Sequence, residues 1–164
     1  MEQTNINEVL NMIVKCVSAY PTETQIQVLG PGFRRDRSFG VVEGREYLVL
    51  GLIIDSAAQS DGRGAWVDVL MEPEIPTVIS VPLCLFEIID PRVSRYWQVR
   101  VSDEGIVNLW PPSFYREYYH SDLSDREPEV VKDFWRVHAL LEAESREITH
   151  SYESTTVLPR FHVG

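Results

Sequence analysis

Apolar positions follow two different periods along this chain, and the places where the period changes mark out its elements. Over residues 6–19, Ile6, Val9, Leu10, Ile13, Val14 and Val17 recur at i, i+3, i+4, i+7, i+8 and i+11. That spacing predicts an amphipathic N-terminal helix with one apolar stripe. Asn5 with Glu8 resembles a capping box at its start, and Tyr20-Pro21 ends it. A short strand is expected over Gln25–Leu29. It is followed by a glycine- and proline-containing loop, GPGFRRDRSFG, which holds the basic cluster Arg34, Arg35 and Arg37 around Asp36. A solvated loop paired with nearby acids is the plain reading of that cluster.

From residue 41 the helical period is lost. EYLVLGLIID (46–55), AWVDVLME (65–72) and PTVISVPL (76–83) are short and rich in Val, Ile and Leu, as strands are. SAAQSDGRG (56–64) joins the first two and carries the turn signal Asp61-Gly62. LCLFEIID (83–90) is an apolar run of open class, one helical turn leading into a strand being one reading. YWQVRVS (96–102), DEG (103–105) and IVNLW (106–110) form the clearest hairpin, with Val99 and Val101 alternating with Arg100.

Pro111-Pro112 stops the sheet and permits a helix start. PSFYREYYHSDL reads as a short helix, in which Phe114 and Tyr118 share one face and Tyr115 and Tyr119 another. A longer helix follows, with Ser124 or Asp125 as its cap, Pro128 in its first turn, and Val130, Val131, Phe134, Val137, Leu140 and Leu141 at helical spacing to about residue 146. Residues 150–164 have no periodicity and read as an extended tail. Consecutive strands without intervening helices make the fold α+β, a single domain over residues 1–164. The expected form is an N-terminal helix, one curled antiparallel sheet of about five to six strands over about residues 25–110, and C-terminal helices packed on it. A sheet of that length suggests an SH3-like barrel or half-barrel. Trp66, Val67, Val69, Val99, Val101, Val107, Leu109, Val131, Phe134 and Leu141 are expected to share one core.

At 164 residues such a domain buries about 70% of its unfolded surface, enough for a core without metal or disulfide staples. Cys16 and Cys84 both lie among aliphatic residues and are expected to be reduced core thiols of a cytoplasmic protein. The opening residues have no basic region and no long apolar run, so neither a signal peptide nor a membrane span is expected. Net charge is −10, with the acids spread evenly through both halves. Such a surface repels phosphate backbones, which argues against direct nucleic-acid binding.

Candidate chemistry changes the picture little. The sequence has no GxSxG elbow, CxxC pair, HExxH helix or phosphate-cradling glycine loop, and His120, His138, His150 and His162 all fall in the last third. His120 with Asp122 reads as a polar link between helices rather than a metal pair. No catalytic residue, metal or cofactor is expected. Aromatic density is the stronger feature, since Tyr96, Trp97, Trp110, Phe114, Tyr115, Tyr118 and Tyr119 fall within YWQVRVSDEGIVNLWPPSFYREYY. They suit either an aromatic latch joining helix to hairpin or anchors at an interface.

The block SRYWQVRVSDEGIVNLWPPSFYREYYHSDLSDREPEVVKDFWRVHALLEAE resembles the C-terminal half of small, acidic bacterial immunity proteins of polymorphic and contact-dependent growth-inhibition toxin systems. WPPSFYREYYH is its most distinctive stretch. The resemblance implies a non-enzymatic inhibitor that occludes a cognate toxin C-terminal domain, often a basic nuclease, and it carries over no catalytic residue. An unmarked small enzyme or ligand-binding domain and a regulatory adaptor are the rival readings. For an inhibitor, the expected partner-binding residues are Asp55, Asp61, Asp68, Glu72 and Glu74 around the long hairpin, with Tyr118 or Tyr119 as aromatic neighbour.

Overall fold

A computed structural model of the chain describes residues 11–56 and 62–146. Its elements run β1 (Ile13–Cys16), α1 (Glu23–Leu29), β2 (Glu46–Leu48), β3 (Gly51–Asp55), β4 (Gly64–Glu72) and β5 (Ile75–Pro82). A single turn of 3₁₀-helix (Leu83–Leu85) leads into β6 (Phe86–Asp90), followed by the hairpin β7 (Gln98–Val101) and β8 (Val107–Trp110). A second 3₁₀ segment (Pro112–Tyr115), α2 (Tyr119–Ser124) and α3 (Pro128–Arg146) complete the order. The class is α+β with C-terminal helices, as the pattern predicts.

The architecture departs from a single curled sheet. Among the described residues two open antiparallel sheets are present, ordered β2-β1-β6 and β5-β4-β3-β8-β7, and they form neither a barrel nor a half-barrel. The stretch 46–55 is one apolar run in sequence but two strands in space. At its centre Val49 N–H donates to Met12 O at 3.0 Å, whereas Leu50 N–H donates to Asp68 O at 2.8 Å. Consecutive residues therefore bond to different sheets, and the chain steps between layers there.

Two cores result instead of the one expected. Val14, Cys16, Tyr47, Val49 and Phe86 from the small sheet pack against Val67, Val69 and Val81 from one face of the large sheet. On the other side, Leu50 and Leu70 meet Phe114, Tyr119, Leu123, Val130, Phe134, Val137 and Leu141 from the helical segments. The layers are thus small sheet, large sheet, helices. Phe134 and Leu141 lie in one core and Val67 and Val69 in the other, all four fully buried. Val99 and Val101 lie in neither and are exposed, while Trp66, Val107, Leu109 and Val131 are half-buried.

The expected N-terminal helix falls partly outside the described residues, and where it is described it is a strand. Burial alternates over Met12, Val14 and Cys16, a period of two, while Val17 from the helical stripe is exposed. β1 is the central strand of its sheet, paired on both sides with β2 and β6. Pairing on two edges outweighs the local helical spacing. The expected strand over Gln25–Leu29 is the helix α1. Its signal was the capping box: Thr22 Oγ1 accepts from Gln25 N–H at 3.3 Å, and Gln25 Oε1 accepts from Thr22 N–H at 2.8 Å. The expected short helix over 112–123 is broken at Tyr118, whose φ of 60° is left-handed. The tail 150–164 lies outside the described residues.

Candidate functional site

The residues expected to bind a partner are placed in very different environments. Asp55, at the end of β3, is buried and engaged within the fold. Asp61 lies outside the described residues. Glu72 and Glu74 are exposed at the tip of the β4–β5 hairpin, between the exposed side chains of Met71 and Ile75. Tyr118 is 69% exposed, whereas Tyr119 is buried. The structure therefore leaves Glu72, Glu74 and Tyr118 on the surface and gives Asp68 and Tyr119 internal partners.

Asp68 is the most constrained of these. It projects from β4 to the helix-covered side of the large sheet, where its carboxylate accepts from the Ser80 hydroxyl and, at 2.8 Å, from Trp110 Nε1. Burial pushes its pKa up to about 6, against the two hydrogen bonds that lower it. Gly51 sits opposite Asp68 in the β3–β4 register. A Cβ at Gly51 would lie 2.2 Å from Trp110 Cδ1, so only glycine lets the indole cross the strand and reach the carboxylate.

The aromatic segment acts mainly as the latch. Tyr115 places its hydroxyl 2.7 Å from both Gln98 O and Asn108 O, donating between the two strands of the β7–β8 hairpin. Phe114 and Tyr119 stack at 5.0 Å, and Tyr119 donates to Asp133 Oδ2 at 3.1 Å, tying α2 to α3. Burial and the adjacent Asp133 carboxylate both push the Tyr119 hydroxyl pKa up. His120 packs among Trp110, Phe114 and Tyr119, and burial lowers its pKa. On α3, buried Glu144 accepts from Ser94 Oγ at 2.5 Å and from Arg95 N–H at 3.0 Å, anchoring the chain just before β7. The basic loop is also internally engaged: Arg34 pairs with Asp36 at 3.2 Å, and Arg37 lies over the rings of Phe33 and Phe39. Cys16 is a buried free thiol as expected, but Cys84 is exposed.

The surface feature that alternation alone did not reveal is on the large sheet. Register places Val67, Leu52, Leu109 and Val99 in one row across β4, β3, β8 and β7, and Ala65, Ile54, Val107 and Val101 in the next. All stand on the face that meets the small sheet. That covering ends near β3: Leu52 packs on the shared core, but Ile54 is 40% exposed, Val99 62% and Val101 64%. Asp103 and Glu104, both exposed in the β7–β8 turn, border this apolar strip directly beyond the Val101–Val107 pair.

No protein-family model, no curated protein and no solved structure matches the chain. No helix among the described residues is long and apolar enough to cross a membrane.

Proposed function

We propose that this chain is an immunity-type inhibitor that holds a basic toxin domain against the uncovered face of its large sheet. The observation that carries this reading is the strip of Ile54, Val107, Leu109, Val99 and Val101, bordered by Asp103 and Glu104. Contiguous apolar surface with a polar rim is what protein partners bury. The net charge of −10 selects a basic partner and speeds its approach, while the apolar strip supplies the contact that lasts. Glu72 and Glu74 project at the far end of β4 from the strip, where they add to the attracting field. Inhibition is by occlusion in the cytoplasm and needs no cofactor. The resemblance of residues 94–144 to immunity proteins points the same way.

The test asks whether the adjacent gene encodes a toxin and then co-expresses that toxin domain with this chain. Wild type restores growth, and a Val99→Lys, Val101→Lys variant that accumulates to the same level does not. Protection unchanged in that variant, or no protection by wild type, overturns the reading.

A further inference from the structure

A second site lies away from the uncovered sheet face. α1, the first residues of β4 and the Leu83–Leu85 turn enclose a cavity of about 360 Å³, close to the lower end of volumes that hold small ligands. Val28, Leu29, Ala65 and Leu83 make its walls apolar. Among the described residues, Arg63 is the one charged residue lining it, and no carboxylate does. The Arg63 Nε is buried and has no hydrogen-bond partner. A guanidinium at an apolar wall, with no carboxylate among the described lining residues, is a ready partner for an anion.

The cavity is also braced. Gln25, held by the capping box, donates from Nε2 to Cys84 O at 2.9 Å, which fixes α1 to the Leu83–Leu85 turn. Preorganised walls lower the entropy lost on binding. Partial burial of its side chain pushes the Cys84 thiol pKa up, so this cysteine serves as wall rather than nucleophile.

We propose that this cavity binds a small apolar carboxylate, its hydrocarbon body against Val28, Leu29, Ala65 and Leu83 and its carboxylate on Arg63. Such a group comes either from a free short-chain acid or from the C-terminus of a peptide ending in an apolar residue. A neutral ligand leaves Arg63 unpaired, and a cation meets like charge, so the anionic head decides selectivity.

The experiment titrates the full chain, labelled with nitrogen-15, with hexanoate, hexanol and hexylamine, and with a leucine-terminated tripeptide as free acid and as amide. Hexanoate is expected to shift amides of residues 24–29, 63–65 and 83–84, and to bind at least tenfold more tightly than hexanol or hexylamine. Arg63→Gln should lose that tenfold preference at unchanged melting temperature, while Arg63→Lys keeps part of it, because it retains the charge without the fork. Tighter binding of the tripeptide acid than of hexanoate assigns the peptide source, and the reverse assigns the free acid. Equal binding of hexanoate and hexanol, indifference to Arg63→Gln, or no shifts up to about 10 mM overturns the proposal.

Discussion

Val67 and Val99 stand on the same face of the five-stranded sheet, in one row through Leu52 and Leu109, yet Val67 is fully buried and Val99 is 62% exposed. The difference arises because the three-stranded sheet covers only part of that face. β1, β2 and β6 are three to five residues long and meet the β5-β4-β3 side. A β-strand alternates whether or not anything lies over it, so Val99 and Val101 carry a core pattern on an open surface. Because β7 is also an edge strand, the combination invites a partner.

The helix-side core should depend strongly on Phe134. It is fully buried on α3 and contacts Phe114, Trp135 and His138. Phe134→Ala is expected to lower unfolding free energy by about 3–5 kcal/mol, measured by denaturant titration. A loss below about 1 kcal/mol contradicts the packing of this helix face.

Asp68 should give the chain a stability component that grows on acidification. Its carboxyl is raised by burial from 3.8 to about 6, so between those values the folded chain holds a proton that the unfolded chain has released. The burial penalty is full above pH 6 and is relieved as pH falls toward 3.8. His120 and His138 act oppositely. Burial lowers both from 6.5, so their contribution is full above 6.5 and is lost as pH falls. Comparison with Asp68→Asn cancels the histidines. From pH 8 to pH 5 wild type should gain about 1–2 kcal/mol relative to the variant. A constant difference, measured by denaturant titration across that range, contradicts a raised carboxyl.

Glu72 and Glu74 should govern approach rather than residence. Reversing both to Lys is expected to slow association with the basic partner several-fold at low salt and to leave dissociation nearly unchanged, as read by stopped-flow. About 0.5 M salt should erase the difference. A faster dissociation instead places the hairpin tip inside the docked interface.

Much of the fold was legible because local and tertiary preferences agree. The β7–β8 hairpin, β4, β5 and α3 form where alternation or helical spacing predicts them, although the alternation of β7 ends on an open face. The failures occur where tertiary pairing overrides a local pattern. Residues 13–16 belong to an apolar pattern of helical spacing but sit between two strands, and the run 46–55 splits because Val49 and Leu50 serve different layers. Over Gln25–Leu29 the short apolar stretch reads as a strand, but the capping box of Thr22 and Gln25 makes it the helix α1. The acids expected to bind a partner could not be sorted by sequence. Asp68 and Glu72 sit four apart on one strand, and only cross-strand neighbours decide that the first is capped by Ser80 and Trp110 while the second meets solvent.

The central claim is that the open sheet face makes the lasting contact with a basic partner. Calorimetric titration with the toxin domain that the co-expression test identifies tests it, comparing wild type with a Val99→Thr, Val101→Thr variant. Threonine keeps strand propensity and shape but removes apolar surface, and at exposed positions it should leave the melting temperature unchanged. One-to-one binding weakened at least tenfold in the variant is the predicted result. An unchanged dissociation constant contradicts the account.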